Sequence, residues 1–206
     1  IKIENVKTAL QGLDLSYNIK HKLEMNAKAF DMLHLAHNLG LEITLKDAEK
    51  ISMGGKPENI SDERIHLLAN FRNALEFSRS NIADSYAEID TTILLHLNKL
   101  ILTTWRETWE ARFRNVSDSI DQRYDSWINL RDQGIEGKDV ESEIQNLIDW
   151  YKSVSPTMTP IIRIGIALFR LSEIYPYVSG NKLTIMALTD YLFLKYNLSS
   201  KSFIST

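Results

Sequence analysis

The sequence predicts an all-α protein that packs around one core. Its four prolines and eight glycines, among 206 residues, fall between segments whose apolar residues recur at helical spacing. Two segments near the C-terminus, Pro160–Ile174 and 183–196, are apolar on nearly every side, which is typical of helices buried in a core. Hydrophobic residues make up 44% of the chain, enough to bury a substantial interior in a single domain.

The N-terminal part of the chain contains one long and one short helical pattern. Residues 23–39 place apolar side chains on one side of a helix, and Gly40 is a typical C-terminal stop. The Thr-Leu-Lys-Asp sequence that begins at Thr44 matches a capping arrangement at the start of the next helix. We expect an N-terminal helical segment over 1–43 that packs as one unit with a helical domain over 44–206.

Further helices follow in the middle of the chain. Ser61 is a good N-cap for a helix that has acidic residues in its first turn, and residues 90–105 form another helical stripe of apolar side chains. Residues 115–137 are the least helical part, where we expect either a small hairpin or an irregular lobe. A clear amphipathic pattern over 138–154 then leads to the two apolar C-terminal helices.

The overall composition excludes several classes of protein. A net charge of −3 and a pI near 6.0 give no electrostatic reason to expect nucleic acid or an anionic membrane as a partner. The chain has no cysteine, which excludes disulfides and thiolate sites and leaves the cytoplasm as the default compartment. No apolar run reaches the roughly 18–20 residues that span a bilayer. The chain begins with Ile1 rather than Met, which indicates a fragment of a longer protein.

One polar cluster has the spacing of a metal site. Asp31, His34 and His37 follow one another at intervals of three residues, so their side chains spread over one arc of the predicted helix. A metal would require a further ligand from elsewhere in the fold. A polar, solvated helix face is the simpler interpretation, and we assign no metal ligand.

The polar loop between the two apolar C-terminal helices is the strongest functional signal. A Gly-Asn pair at the start of a helix leaves backbone N–H groups that can bind an anion, and a lysine follows it. These residues predict a phosphate or nucleotide site: Ser179, Gly180, Asn181 and Lys182. The alternative is purely structural, in which Gly180 supplies a permissive backbone and Asn181 caps the last helix.

The same loop resembles the central motif of Fic (Fido-fold) domains. Many Fic domains transfer AMP from ATP to a hydroxyl group of a target protein, and their motif reads His-Pro-Phe-x-Asp/Glu-Gly-Asn-Gly-Arg-x-x-Arg between two helices. Pro176, Gly180 and Asn181 match this pattern, and Tyr177 is a conservative replacement for the Phe. The resemblance implies ATP with Mg²⁺ as the ligand that an active site of this kind would hold.

The resemblance extends upstream over about 44–197. Arg112, Phe113 and Arg114 are similar to an element that ends an earlier helix in the family, and 115–130 falls where Fic proteins carry a flap hairpin. The resemblance therefore implies a Fic-like helical bundle with a buried central helix-loop-helix and, over 115–130, a small β-hairpin flap.

The departures from the motif remove its charged groups. Tyr175 stands in place of the His that acts as general base, and a phenol with a reference pKa of about 10 is neutral at pH 7. Ser179 replaces the acidic residue that holds Mg²⁺, and Lys182 replaces the second Gly. Leu183 and Met186 replace the two Arg residues that bind nucleotide phosphates.

These replacements predict a catalytically degenerate Fic-like domain that serves as a protein-binding or regulatory module. Its expected partner is another protein or a missing part of the same chain, in the cytoplasm, with no nucleic acid and no membrane. The alternative is a nucleotide-dependent transferase that moves AMP or a related group to a target hydroxyl with non-standard residues. ATP with Mg²⁺ would then bind at residues 179–182.

Overall fold

A computed structural model describes residues 13–57, 64–80, 89–103, 111–120, 136–154, 157–196 and 198. Over these ranges the chain is helical and contains no strand. The α-helices are α1 (Tyr17–Asn38), α2 (Leu45–Ser52), α3 (Arg64–Ser80), α4 (Thr91–Leu102), α5 (Val140–Ser153), α6 (Pro160–Ile174) and α7 (Asn181–Lys195). A short 3₁₀ turn, Gly137–Asp139, leads into α5. The predicted all-α class is confirmed.

Local sequence signals set the ends of several helices. At α2 the capping box is complete, because the Asp47 N–H donates to the Thr44 hydroxyl at 3.2 Å and the Thr44 N–H donates to the Asp47 carboxylate at 3.0 Å. Asp90 caps α4 by accepting the Ile93 N–H at 2.7 Å. Helix α6 begins and ends where the sequence predicts. The Ser61 cap lies outside the described residues.

Two predicted boundaries differ from the structure. Helix α1 begins at Tyr17, six residues before the predicted start, since a polar and largely exposed turn precedes its apolar face. Helix α7 begins at Asn181 rather than at residue 183, because the loop ends at Gly180 in a left-handed conformation. The described part of the expected flap, 111–120, is irregular with a turn, and residues 121–135 lie outside the described ranges.

Helix α7 occupies the centre of the fold. It packs against α3, α4 and α6, while α1 lies against α2 and α3, and α5 lies against α6. Its buried residues occur on all sides of the helix: Asn181, Leu183, Thr184, Ala187, Leu188, Tyr191, Leu192 and Leu194. This central position explains why the sequence of α7 is apolar nearly all round.

The expectation that α6 is buried on every side is wrong. One face, which includes Ile164, Ala167 and Leu171, packs into the core, mainly against α5 and α7. The opposite face is exposed although it is apolar. Among the described helices, none is both long and apolar enough to cross a membrane.

Candidate functional site

The loop from Tyr175 to Gly180 turns the chain from α6 into α7. Tyr175 ends α6 in the left-handed region, with φ 52° and ψ 64°, and Gly180 precedes α7 with φ 75° and ψ 20°. A left-handed backbone costs a non-glycine residue roughly 1–2 kcal/mol, so surrounding contacts must hold Tyr175 in place. Gly180 avoids that cost, and its Cα lies so close to Leu102 that a Cβ would come within 3.2 Å of that side chain.

Arg114 holds the first half of the loop. Its Nε donates to the Tyr175 carbonyl at 2.6 Å, and its Nη2 donates to the Ile174 carbonyl at 3.0 Å. The Arg114 backbone N–H donates to the Pro176 carbonyl at 2.9 Å. Burial lowers the pKa of Arg114, and nearby Asp118 opposes that shift. A cation at the C-terminus of α6 also interacts favourably with the helix dipole.

Asn181 closes the second half of the loop. Its Oδ1 accepts the Tyr177 N–H at 2.9 Å, and its Nδ2 donates to the Tyr177 carbonyl at 2.8 Å. The side chain is fully buried. Asn181 is therefore the first residue of α7 and bonds back to the loop, so the structural alternative from the sequence, in which Asn181 caps this helix, is wrong. The residue at the N-cap position is Gly180, which has no side chain to accept a hydrogen bond.

A buried asparagine on α4 supports the centre of the loop. Asn98 Nδ2 donates to the Ser179 carbonyl and to the Thr184 hydroxyl, both at 3.1 Å. The Thr184 hydroxyl in turn donates to the Gly180 carbonyl at 2.8 Å. Sequence reasoning missed Asn98. The available signal was a polar residue at an inward position among the apolar side chains of α4.

Tyr177 anchors the loop in the core. Its hydroxyl donates to the Leu94 carbonyl at 2.9 Å, and its ring lies 5.8 Å from the ring of Phe113. Burial raises the pKa of the Tyr177 hydroxyl, so the group stays protonated and remains a donor. The hydroxyl of this tyrosine therefore has a partner inside the protein, as a buried phenol requires.

Comparison of the sequence with known protein families identifies the family to which the helices and the loop belong. The model of the Fic/DOC family matches residues 88–193, just over half of the chain. This chain belongs to the Fic/DOC family. The matched region contains α4 to α6, most of α7 and the loop that Asn98, Arg114 and Asn181 hold in place.

Solved Fic structures have the same fold. A Fic domain containing signaling protein from Bacteroides thetaiotaomicron superposes with a TM-score of 0.71 at 17% identity, over 95% of this chain and 72% of that chain. A fragment of Fic-1 from C. elegans superposes with a TM-score of 0.68 at 16% identity. That match covers 95% of this chain and 56% of the Fic-1 chain. A search of curated protein sequences returned no match.

The family motif maps onto residues that are mostly buried. Tyr175, at the position of the His, has a side chain that is 5% exposed, and Ser179, at the acidic position, is also buried. Leu183, at the first Arg position, is wholly inside the core at 0% exposure. Lys182 is half-buried beside the loop. Residues 175–186 contain no Asp, Glu, His or Arg, so the motif itself supplies no imidazole, no carboxylate and no guanidinium.

Met186, at the second Arg position, faces a separate cavity. The cavity has a volume of about 260 Å³ and lies between α1, α3 and α7. Its polar lining includes Asp31, His34 and Asp190. Asp31 and His34 belong to the cluster that the sequence singled out, but among the described residues no group of three His, Asp or Glu side chains is arranged to hold a metal ion.

The sequence-predicted phosphate site at the N-terminus of α7 is mostly buried. The first turn of α7 contains no acidic residue, and its N-cap is a glycine. The side chains of Ser179 and Asn181 are buried, and the Asn181 amide is used within the loop. Of the four residues predicted to bind phosphate, only Lys182 is partly exposed.

Proposed function

We propose that this Fic domain has lost AMP transfer and serves as a protein-binding or regulatory module in the cytoplasm. Its partner is another protein or a further part of the same polypeptide. The observation that carries the proposal is the replacement of the charged motif positions by neutral side chains that are packed into the fold. Leu183, which has 0% exposure at an Arg position, is the clearest of these replacements.

The general base is the first missing function. AMP transfer to a hydroxyl requires removal of its proton, which is the role of the family His. At this position the chain offers a phenol, a class of group with a reference pKa of about 10, in place of an imidazole, whose reference pKa of about 6.5 lies near neutral pH and suits a general base. Loss of a general base typically costs about 10²–10⁴ in rate.

The groups that hold a metal-bound triphosphate are the second missing function. Mg²⁺ prefers anionic oxygen ligands, and Ser179 offers a neutral hydroxyl within a buried side chain. Arg residues bind phosphate by charge and by forked hydrogen bonds, and neither Leu183 nor Met186 can do so. The losses affect the general base, the metal ligand and the phosphate contacts, so one substitution elsewhere in the chain would not compensate for them.

The scaffold of the loop, in contrast, is intact. Buried hydrogen bonds from Arg114, Asn98 and Asn181 hold its backbone, and each would be costly to leave unpaired. A chain that keeps the shape of a site while it lacks the reactive groups is suited to recognition rather than to chemistry. The longer chain of the Fic-1 fragment shows that Fic domains also occur beside further sequence, which is compatible with an intramolecular partner.

Incubation with labelled ATP and Mg²⁺ tests the proposal directly. The purified chain, alone and with cell extract, should transfer no AMP, as read by intact mass and by labelled bands. AMP transfer by the unmodified chain would refute the proposal. A chain with Tyr175→His, Ser179→Glu, Lys182→Gly, Leu183→Arg and Met186→Arg serves as the positive comparison.

The chain that carries the five substitutions to family motif residues requires its own controls. Histidine adopts left-handed φ values more readily than most residues, so Tyr175→His suits the φ of 52° found there. Leu183→Arg places a charge in the core, so a second chain retains Leu183 and carries the other four changes. Circular dichroism reports whether each chain folds, and the matched chain with Tyr175 retained reports whether any recovered transfer depends on the base.

A nucleotide-dependent transferase with non-standard residues is the alternative function. The glycine N-cap of α7 and the adjacent Lys182 favour it, because together they can hold the phosphates of ATP with Mg²⁺. Thermal unfolding with millimolar ATP, with and without Mg²⁺, distinguishes the two functions. A ligand at 100 times its dissociation constant stabilises a fold by about 2.7 kcal/mol. If the alternative is correct, ATP stabilises the unmodified chain against thermal unfolding, and Lys182→Ala loses this stabilisation. If our main proposal is correct, ATP stabilises neither the unmodified chain nor Lys182→Ala.

A further inference from the structure

The cavity between α1, α3 and α7 has apolar walls and carboxylates from two helices. Its volume is about 260 Å³. All three helices contribute apolar side chains to its described wall: Leu35, Phe71, Leu75 and Met186. Asp31 on α1 and Asp190 on α7 contribute the carboxylates. A mostly apolar wall with a few polar groups is the usual composition of a site for a small organic ligand.

The polar groups of this wall accept hydrogen bonds rather than donate them. An ionised carboxylate, such as that of Asp31 or Asp190, has acceptor atoms only. The Thr189 hydroxyl donates its single proton to the Ile185 carbonyl at 2.7 Å, so toward the cavity its oxygen can only accept. His34 is exposed, and its ring can donate as well as accept. A ligand that matches the interior of the cavity must therefore donate hydrogen bonds.

The charge of the wall favours a cation. The described wall residues include two carboxylates and no Lys or Arg, and a recess with walls of one charge attracts the opposite charge. Cations on the same three helices make other contacts. Lys28 bonds to Glu24 at 3.0 Å, and Arg79 lies with Lys28 at a separate hollow of about 10 Å³. Lys195 lies 5.9 Å from the centre of the Tyr191 ring.

We propose that this cavity binds an organic cation, a guanidinium or ammonium group on a short aliphatic chain. The N–H groups of the cation donate to the Asp31 and Asp190 carboxylates, and the aliphatic chain lies against the apolar wall. This chemistry occurs in free amines and in the Arg or Lys side chain of a protein. The cavity does not include the loop from Tyr175 to Gly180, so the inference is independent of whether AMP transfer has been lost.

The volume of the cavity limits the size of the ligand. An apolar cavity of about 150 Å³ holds one benzene molecule. At about 260 Å³, this cavity has room for n-butylguanidinium or for an arginine side chain. A nucleotide is larger and is an anion, so it does not suit this cavity. For so small a ligand we expect a dissociation constant of about 1 mM.

Titration of the isotope-labelled chain with n-butylguanidinium, followed by NMR, tests the proposal. The amide signals of wall residues such as Leu35 and Thr189 should shift and reach saturation. Pentanoate and n-pentanol have similar chains but a negative charge and no charge, respectively. Both should bind at least tenfold more weakly than the cation. This comparison uses the unmodified chain, so it decides the proposal even if a variant fails to fold.

Substitutions locate the bound cation. Asp31→Asn and Asp190→Asn each keep the shape of the side chain and remove one charge, so each should weaken binding about tenfold. The matched control is Asp149→Asn, since Asp149 is exposed on α5 and outside the cavity wall, and it should leave the affinity unchanged. Met186→Trp fills the cavity without a change of charge and should abolish binding. Circular dichroism reports whether each variant folds.

Two further ligands distinguish the source of the cation. Agmatine is a free amine that carries a guanidinium group, and an acetylated and amidated Gly-Arg-Gly peptide presents the same group on a protein side chain. Tighter binding of agmatine would assign the cavity to a free amine. Tighter binding of the peptide would assign it to a basic residue of a partner protein.

Four results would overturn the proposal. The first is the lack of saturable shifts with n-butylguanidinium, agmatine and the peptide at about 20 mM each. The second is binding of pentanoate or n-pentanol as tight as that of n-butylguanidinium. The third is an unchanged affinity in either Asp31→Asn or Asp190→Asn. The fourth is binding that persists in Met186→Trp, because the cation would then lie outside this cavity.

Discussion

Substitution of Arg114 tests which contacts hold the motif loop, the loop from Tyr175 to Gly180, in its conformation. Replacement by methionine keeps most of the side-chain length and removes the guanidinium that bonds the Tyr175 and Ile174 carbonyls at 2.6 and 3.0 Å. Hydrogen bonds from a charged donor contribute about 1.5–3 kcal/mol each, and the buried carbonyls would lose their donor. We expect Arg114→Met to lower the free energy of unfolding by about 3–5 kcal/mol.

Arg112 provides the matched control two residues away. Its guanidinium binds Asp118 at 2.6 Å, but the Arg112 side chain is 49% exposed. Because this guanidinium is half exposed whereas that of Arg114 is buried, Arg112→Met should lower the free energy of unfolding by less than Arg114→Met does. Arg114→Lys should recover part of the loss only, because an ammonium group cannot bond two carbonyls in the forked geometry of a guanidinium.

Urea denaturation followed by circular dichroism gives these free energies. A thermal scan gives a second reading, since each kcal/mol shifts the midpoint by roughly 2–4 °C for a domain of this size. A loss below about 1 kcal/mol for Arg114→Met, or one no larger than that for Arg112→Met, would refute the role assigned to Arg114.

Three further predictions follow from the same region. Asn181→Ala should lower the free energy of unfolding by about 2–3 kcal/mol in urea titrations, because it removes both hydrogen bonds to Tyr177. A loss under about 0.5 kcal/mol would contradict the role of Asn181 in holding the loop. Gly180→Ala should lower the free energy of unfolding by about 1–2 kcal/mol in the same assay, because the φ of 75° at this position is unfavourable for a residue with a Cβ. An unchanged urea midpoint would show that the loop adjusts to the added Cβ without loss of stability. The Asp118 carboxyl has a pKa lowered to about 2, chiefly by its hydrogen bond from Arg112. Its contribution to stability should therefore be complete above about pH 4 and disappear as the pH falls toward 2, and carbon NMR of that carboxyl in Arg112→Met should show a higher pKa.

Much of the secondary structure could be predicted because its signals are local. The capping box at Thr44, the Asp90 cap and both ends of α6 are encoded by residues within a turn of each boundary. The start of α1 was predicted six residues late, since the turn from Tyr17 is helical without an apolar pattern or a side-chain cap. Local patterns therefore locate helices well where a cap or a breaker is present.

The contacts of the motif loop were beyond sequence reasoning because they join distant parts of the chain. Asn98 reaches Ser179 across 81 residues, and Arg114 reaches Tyr175 across 61. A polar residue on an apolar helix face indicates a buried partner, but it does not identify that partner. Sequence analysis singled out the segment of Arg114 by resemblance alone and did not predict its hydrogen bonds.

The sequence by itself determined the helical class, the Fic resemblance and the loss of every charged motif position, since each depends on residue identity and short-range order. Tertiary structure decided which apolar surfaces are buried. Both C-terminal helices have apolar sequences, yet α7 is surrounded by other helices whereas α6 exposes Ile162 and Phe169. Hydrophobicity measures how favourable burial would be, and only the arrangement of neighbouring helices determines whether a surface is covered.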